Sequence, residues 1–171
     1  MQLAIFPTQL GWFGLLGEDQ KVSCIRIGHI SADGVRDSIA AKCEDIIAGR
    51  SVEESDWFPD LRRRLVEFTA GIPQTFHDIK LSSCSETAFQ GKVVHATRNI
   101  PYGETRSYSE IAEAAGSPKA ARAVGSVMRI NCFPVVVPCH RVVRAGGLGG
   151  FSAPGGIDLK ERMLELERSS A

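Results

Sequence analysis

The sequence predicts an α+β fold in two domains: an N-terminal α/β domain over residues 1–85 and a mostly helical C-terminal domain over residues 86–171. Strand-like alternation is concentrated near the N-terminus, whereas helical patterns with capping residues dominate the second half. The charge is also uneven. The first domain has 9 Lys and Arg against 12 Asp and Glu, and the second has 11 against 8, although ordinary scatter also gives such differences. A polar stretch at 82–87, SSCSET, marks the predicted boundary.

The first domain is predicted to begin with a small antiparallel sheet. Residues 2–28 alternate and turn at GEDQ, 17–20, which indicates two or three strands. A helical pattern follows over 31–47, and a second one over 58–70 stops at a glycine and a proline. Residues 78–81 have the composition of a short strand.

The second domain is predicted to contain a helix-turn-helix. After a helix over 87–100, Ser107 and a glutamate three residues later form a capping box that starts a short helix. Ser117 is the predicted N-cap of a second helix that runs to Arg129, with Pro118 in its first turn. Helix, tight turn and helix are typical of the DNA-binding motif, but any pair of packed helices gives the same pattern.

The second of these helices has an unusual composition. Its small residues let a backbone approach another surface closely, and a neighbouring helix would explain them equally well. They are Ala120, Ala121, Ala123, Gly125 and Ser126. Arg122 is the one long cation among them.

The stretch PVVVPCHRVV, 134–143, places reactive side chains in an apolar run. A thiol is activated by a neighbouring base or cation, so Cys139 beside His140 is a candidate nucleophile. In an extended chain these two side chains point to opposite faces, so either the chain turns here or a water bridges them. A histidine base also needs a carboxylate to orient it. Candidates on the last predicted helix are Asp158, Glu161, Glu165 and Glu167.

Composition and cysteine usage narrow the class of protein. With 43% hydrophobic and 23% charged residues, and no apolar run of roughly 18 residues, the chain resembles a soluble protein without a membrane segment. Five cysteines without a framework spacing or an export signal predict reduced thiols in the cytoplasm. One alternative is a zinc site, but its residues match no known ligand spacing, so neither a metal nor a cofactor is expected. These residues are Cys24, His29, His77 and Cys84.

Several motifs together resemble the O6-alkylguanine-DNA alkyltransferases. The resemblance covers residues 86–168, about half of the chain. Its motifs are PCHRVV at 138–143, FQGKVVHATRNIPYGETRSYSEIA at 89–112, GSPKAARAVGSVMRIN at 116–131, and GGFSAPGGIDLKERMLELE at 149–167.

This resemblance implies a fold and a reaction. The first domain would be ribonuclease-H-like, and the second winged-helix-like with a helix-turn-helix. The protein would act as a monomer on double-stranded DNA that carries O6-alkylguanine, and also on O4-alkylthymine. It would rotate the base out of the duplex and move the alkyl group irreversibly to one cysteine, once per molecule and without a cofactor.

The resemblance also assigns roles to residues of the reaction. Cys139 is the acceptor, His140 its base through a bridging water, and Glu167 the group that orients His140. Tyr108 stabilises the leaving guanine at N3. Arg141 is expected to be structural.

Further roles concern the DNA and the pocket. Arg122 is expected to fill the space left by the rotated base, and the small helix face with Ala120, Ala121 and Gly125 to lie against the minor groove. Asn131 is expected to hold the turn after that helix. Backbone near Val142 and Ser152 is expected to line the guanine pocket.

Three other functions remain as alternatives. A binder that cannot accept the alkyl group would lack the cysteine, and a Cys-His hydrolase would turn over. A transcription factor that reads the major groove needs several polar side chains on its second helix, where this chain offers only Arg122.

Overall fold

The computed structural model describes residues 1–82 and 87–170. Its strands are β1 (Gln2–Thr8), β2 (Gly11–Glu18), β3 (Lys21–His29), β4 (Glu53–Glu54), β5 (Lys80–Leu81), β6 (Arg106–Ser107) and β7 (Val142–Val143). Its helices are α1 (Ala32–Lys42), α2 (Glu44–Ile47), α3 (Pro59–Thr69), α4 (Ala88–Arg98), α5 (Tyr108–Ala114), α6 (Ala121–Arg129) and α7 (Gly156–Ser169). A 3-10 turn spans Cys139–Arg141. The predicted mixture of helices and strands is confirmed.

The N-terminal half is built on a five-stranded sheet with the order β4-β1-β2-β3-β5. Its centre is the predicted antiparallel set, in which β1 pairs with β2 and β2 with β3. The short strands β4 and β5 add to the two edges in parallel, beside β1 and β3. The sheet therefore has three full strands, as the alternation of residues 2–28 predicted.

The first predicted helix is divided in two. Ser31, where the helical pattern was predicted to begin, caps α1 by accepting a hydrogen bond from the Gly34 N–H. The helix ends at Cys43 rather than continuing to Ile47, and the four residues that follow form the separate α2. The second predicted helix is α3, which stops before Gly71 with its φ of 84°.

Two helices of the second half, α4 and α5, begin at reciprocal caps. Thr87 and Gln90 form a capping box at the start of α4, and the predicted box of Ser107 and Glu110 starts α5. The contacts among α4, α5 and α6 gather these three helices around one apolar cluster.

The predicted start of the second helix of the motif is wrong. Helix α6 begins at Ala121, with Ala120 at its N-cap, so Ser117 is not the cap. The Ser117 N–H instead donates to the Ala112 carbonyl and closes the end of α5, where Gly116 has a φ of 74°. The Ser117 carbonyl then accepts a hydrogen bond from the Ala120 N–H in a turn. The helix therefore starts three residues later than predicted.

The apolar run before Cys139 joins the two halves of the chain. Buried residues of this run lie in the same core cluster as residues of the sheet and of α7. They include Phe13, Leu15, Ile25, Phe133, Val135, Val136, Val137, Leu159 and Met163. The valines therefore fix the position of the following Cys-His-Arg against the N-terminal sheet.

The predicted domain boundary falls on residues 82–87, of which 83–86 lie outside the described residues. Among the residues that are described, none of the helices is both long and apolar enough to cross a membrane.

Candidate active site

The chain turns at Cys139. In the 3-10 turn, the Cys139 N–H donates to the Val137 carbonyl at 2.7 Å and the Arg141 N–H to the Pro138 carbonyl at 2.9 Å. Cys139, His140 and Arg141 are all buried. The chain is therefore turned here, but His140 Nδ1 has no hydrogen-bond partner among the described residues, so the turn alone does not join the Cys139 sulfur to the imidazole.

Glu167 is the carboxylate that meets this turn. Its Oε1 lies 2.7 Å from His140 Nε2, and its Oε2 accepts from Arg141 Nε at 2.9 Å and from the Gly103 N–H at 2.9 Å. Although burial favours the neutral acid, these hydrogen bonds from His140 and Arg141 lower the pKa of Glu167 to about 2. The group is therefore an anion at neutral pH.

His140 has one bonded and one free ring nitrogen. Burial lowers its pKa, against the opposing effect of Glu167, which keeps the imidazole neutral at pH 7. Because a carboxylate only accepts hydrogen bonds, Nε2 carries the proton of the neutral ring. Nδ1 is buried without a hydrogen-bond partner among the described residues, and it presents a lone pair that can take a proton.

Asn131 holds the backbone that leads to Cys139. Its side-chain amide donates to the Val137 carbonyl at 2.9 Å, and its Oδ1 accepts from the Phe133 N–H at 3.0 Å. Burial raises the pKa of the Cys139 thiol, while hydrogen bonding to Asn131 and the charge of Lys160 oppose this rise. The resting thiol is therefore protonated.

Lys160 is a buried residue of the site to which the sequence analysis gave no role. Its Nζ donates to the Val142 carbonyl at 2.6 Å and points toward the Gly150 carbonyl at 3.4 Å. Burial lowers its pKa to about 8, although the thiol of Cys139 opposes this shift. Its position seven residues before Glu167, on one face of α7, was the available signal.

A cavity of about 380 Å³ opens in front of Cys139. Its walls come from α5, α6 and the segment before α7. They are formed by Tyr108, Gly125, Met128, Arg129, Cys139, Gly150, Phe151 and Ser152. The cavity is large enough for a purine-sized group and has the reactive sulfur on its wall.

Tyr108 lies on this wall at the start of α5. Burial raises the pKa of its phenol, and the nearby Cys139 raises it further. The hydroxyl therefore stays protonated and can donate a hydrogen bond. Gly149 has a φ of 73°, and a Cβ at this position would come within 3.0 Å of the Tyr108 hydroxyl. The glycine therefore leaves room for the ring.

The other predicted site residues lie around the cavity. Ser152 is exposed at its rim, and Gly125 is half-buried on α6. Val142 is fully buried behind the cavity and does not contribute to the cavity wall. The carbonyl of Val142 is bound by Lys160. Ala120 and Ala121 are half-buried near the start of α6, where Arg122 is exposed to solvent.

The residues of the alternative zinc site do not form a metal centre in the described part of the chain. No group of three or more His, Cys, Asp or Glu residues that could hold an ion occurs in residues 1–82 and 87–170. Cys24 contacts Cys43 instead, and Cys84 lies outside the described residues.

Known proteins are similar to this chain over nearly its whole length. The family model described as 6-O-methylguanine DNA methyltransferase, DNA binding domain, matches residues 88–169. A methylated-DNA–protein-cysteine methyltransferase of Methanosarcina acetivorans is 36% identical over 170 residues, which cover 99% of this chain and 99% of the relative.

Solved structures are similar over the same extent. OGT of Mycobacterium tuberculosis in complex with DNA has a TM-score of 0.79 and 32% identity, covering 100% of this chain and 95% of that one. The O6-methylguanine-DNA methyltransferase of Pyrococcus kodakaraensis has a TM-score of 0.73 and 28% identity, covering 96% of this chain and 98% of that one.

Proposed function

The chain belongs to the methylated-DNA–protein-cysteine methyltransferase family, and from this premise we propose that Cys139 is the residue that takes the alkyl group from O6-alkylguanine in DNA. The protein repairs DNA by alkyl transfer. One observation supports the assignment most directly. Cys139 is the cysteine on the wall of the cavity, and the residue after it is a buried histidine bonded to a buried carboxylate.

The His140–Glu167 pair supplies the base. The Cys139 proton passes through a bridging water to Nδ1 of His140, and Glu167 stabilises the imidazolium that forms. Arg141 keeps Glu167 in place and ionised through its own hydrogen bonds. The thiolate then attacks the alkyl carbon, the carbon–oxygen bond breaks, and its electron pair moves to the guanine.

Tyr108 assists the leaving group. Its protonated hydroxyl donates to N3 of the guanine as negative charge develops on the ring. Tyr108 supplies one proton to the guanine, and His140 has removed one proton from the thiol, so the number of protons is conserved. The products are a neutral guanine and a thioether on Cys139. The thioether has no path back to a thiol, so each molecule reacts once.

Helices α5 and α6 present the site to duplex DNA. O6 of guanine is hidden inside the base stack, so the nucleotide must rotate into the cavity. Arg122 extends from the exposed side of α6 and fills the space left in the stack, while Ala120, Ala121 and Gly125 allow the backbone to come close to the minor groove. Asn131 connects the end of this helix to the reactive turn.

The domain description follows the same premise. The sheet of residues 1–85 forms a ribonuclease-H-like domain, and residues 86–171 form the winged-helix-like domain that binds DNA, in a cytoplasmic monomer. The pairing of β6 with β7 places the start of α5 beside the segment after Cys139, which supports a single functional unit in the second domain.

Intact-mass measurement tests the function and the acceptor together. After incubation with duplex DNA that contains O6-methylguanine, we expect a gain of one methyl group per protein, located on the Cys139 peptide. Cys139→Ala should bind the DNA without gaining mass. Sustained turnover with excess damaged DNA would instead support the hydrolase alternative, and a methyl group on another cysteine would contradict the assignment.

A further inference from the structure

Two thiols that are not part of the candidate active site are in contact with each other. Cys24 is in β3 and Cys43 is the residue that ends α1, and their sulfurs are 3.0 Å apart. Both lie in the apolar cluster between the sheet and α1, with exposed fractions of 0% and 1%. A disulfide needs a sulfur separation of about 2.05 Å, so a movement of roughly 1 Å would join them.

A fixed cation lies beside this pair. Arg26 Nη2 is 3.2 Å from Cys43 Sγ and 3.4 Å from the Lys42 carbonyl. Burial opposes ionisation of Cys43, but its hydrogen bond to Cys24 and the charge of Arg26 lower its pKa to about 7. The pKa of Cys24 is raised by the same hydrogen bond and by burial. The guanidinium at 3.2 Å from Cys43 Sγ favours the thiolate at that sulfur, and Cys24 is the thiol in contact with it.

The reactive Cys139 differs in its resting state. Burial raises the pKa of its thiol. Among the described residues Cys139 has no second sulfur in hydrogen-bond contact, whereas the sulfurs of Cys24 and Cys43 are 3.0 Å apart, so the pair is the place where an oxidised sulfur can be captured as a disulfide.

We propose that Cys24 and Cys43 close to a disulfide when the protein meets a hydroperoxide, and that this modification leaves Cys139 free to accept an alkyl group. The Cys43 thiolate attacks one peroxide oxygen, the oxygen–oxygen bond breaks, and the hydroxide that leaves takes up a proton to become water. The sulfenic acid on Cys43 is then attacked by the Cys24 sulfur, which loses its proton to the departing hydroxide. Two thiols are oxidised and one hydrogen peroxide is reduced to two waters.

The disulfide would link the end of α1 covalently to strand β3, close to the candidate site. The next residue of β3, Ile25, donates its N–H to the Cys132 carbonyl at 2.7 Å, beside Asn131. Cross-linking two residues 19 positions apart restricts the unfolded chain, so the oxidised protein should melt roughly 5 °C or more above the reduced one. The bond contains none of the residues assigned to alkyl transfer, so transfer should persist.

Peptide mapping after a limited exposure to hydrogen peroxide tests this proposal. The full chain is treated with one equivalent, its remaining thiols are blocked, and the peptides are identified by mass. We expect a cross-linked Cys24–Cys43 peptide, an unmodified Cys139 peptide, retained alkyl transfer, and loss of the cross-link on treatment with dithiothreitol.

Three variants sharpen the test. Cys43→Ser should form no such cross-link, whereas Cys132→Ser, which removes a more exposed thiol, should form it as the wild type does. Arg26→Gln keeps both thiols and should form the cross-link several-fold more slowly at pH 7, with the difference shrinking at higher pH.

The proposal would be overturned if Cys139 were oxidised before Cys24 and Cys43. It would also be overturned if either of these two residues formed a disulfide with another cysteine, or if both remained free thiols after peroxide treatment. Equal rates for wild type and Arg26→Gln would contradict the role of the guanidinium. These outcomes do not depend on the repair activity, because the mapping is done without DNA.

Discussion

His140 and Glu167 form a fully buried hydrogen-bonded pair, with 2.7 Å between Nε2 and Oε1 and no exposed surface on either residue. Arg141 binds the same carboxylate through Nε and Nη2 and also donates to the Ile100 carbonyl at 2.8 Å. A buried carboxylate with these donors fixes the orientation of the histidine ring. The same arrangement makes the stability of the fold depend on the ionisation of one side chain.

Stability should therefore fall in acid through Glu167. Its pKa is about 2 in the folded protein against an ordinary 4.5, so the stabilising contribution is complete above pH 4.5 and is lost as the pH falls through about 2. A difference of this size corresponds to about 3 kcal/mol. Urea unfolding between pH 2 and pH 6 measures it.

Glu167→Gln is the matched test of that acid dependence. It should be less stable at pH 7 by about 3–5 kcal/mol, because Arg141 loses its buried partner, and its unfolding curve should lack this component of the acid slope. Glu165→Gln, on the exposed side of α7, should behave as the wild type. An unchanged slope in Glu167→Gln would assign the acid transition to other carboxylates.

The sequence predicted this site only in part, for physical reasons. Caps depend on neighbouring residues, so the capping box at Ser107 was visible from local pattern. The start of α6 was not, because the Ser117 N–H closes the end of α5 and the Ser117 carbonyl accepts from the Ala120 N–H in a turn, so the helix begins only after that turn. Local pattern also left four carboxylates as candidate partners of His140, and the resemblance singled out Glu167.

Tertiary packing decided the rest of the site. Lys160 had no role assigned from the sequence, yet the segment before α7 covers it and two carbonyls face its ammonium group. Its spacing of seven residues from Glu167 was the available signal, and this spacing does not by itself predict burial. Spacing likewise does not predict the contact between Cys24 and Cys43, which are 19 positions apart in the chain.

Lys160→Met should slow alkyl transfer by raising the pKa of the Cys139 thiol. The positive charge of Lys160 favours the thiolate, and its hydrogen bond holds the Val142 carbonyl. We expect at least a tenfold slower reaction with free O6-benzylguanine at pH 7, with part of the loss recovered at higher pH as the thiolate forms. Lys119→Met, at an exposed position, is the control and should react normally. A loss that stays constant with pH would point to misplacement of the backbone instead.

Arg122→Ala should separate base rotation from chemistry. The side chain is exposed on α6 and does not line the cavity, so reaction with free O6-benzylguanine should stay within about twofold of the wild type. Repair of duplex DNA should slow by at least tenfold, because nothing then fills the gap in the base stack. Single-turnover rates on the two substrates measure this difference, and equal losses on both would contradict the proposed role.

Tyr108→Phe should slow both substrates alike. Its hydroxyl is protonated and its residue lines the cavity. In the proposed reaction it stabilises the leaving guanine whether or not the base began in a duplex. Removal of one donor at a site of developing charge typically costs on the order of 10²-fold in rate. Thiol labelling of Cys139 in the same variant should be nearly unchanged, which distinguishes a lost donor from a damaged pocket. Normal transfer on both substrates would exclude the assignment.

Alkylation of Cys139 should destabilise the protein and lower its affinity for duplex DNA. Cys139 is 7% exposed and lies in the apolar cluster formed by α4, α5 and α6, in a segment whose Val137 carbonyl is held by Asn131. A thioether is larger than a thiol, so the cluster must make room, and it has no proton to give, so the proposed bridging water and His140 Nδ1 lose their donor. Such overpacking costs about 1–3 kcal/mol, and an unsatisfied buried group costs about as much again. Because Asn131 follows α6, the displacement reaches the helix proposed to face DNA.

Thermal melting of the fresh, methylated and benzylated protein tests this expectation, with Cys139→Ala as the unreactive control. We expect the melting temperature to fall by several degrees on methylation and further with the larger benzyl group, and duplex binding to weaken in the same order. The cavity in front of the sulfur has a volume of about 380 Å³ and Met128 and Phe151 among its walls, so a benzyl group occupies more of it than a methyl group does. Equal melting of all three forms after confirmed alkylation would mean that the new group lies entirely in the cavity and that the cluster behind Cys139 does not move.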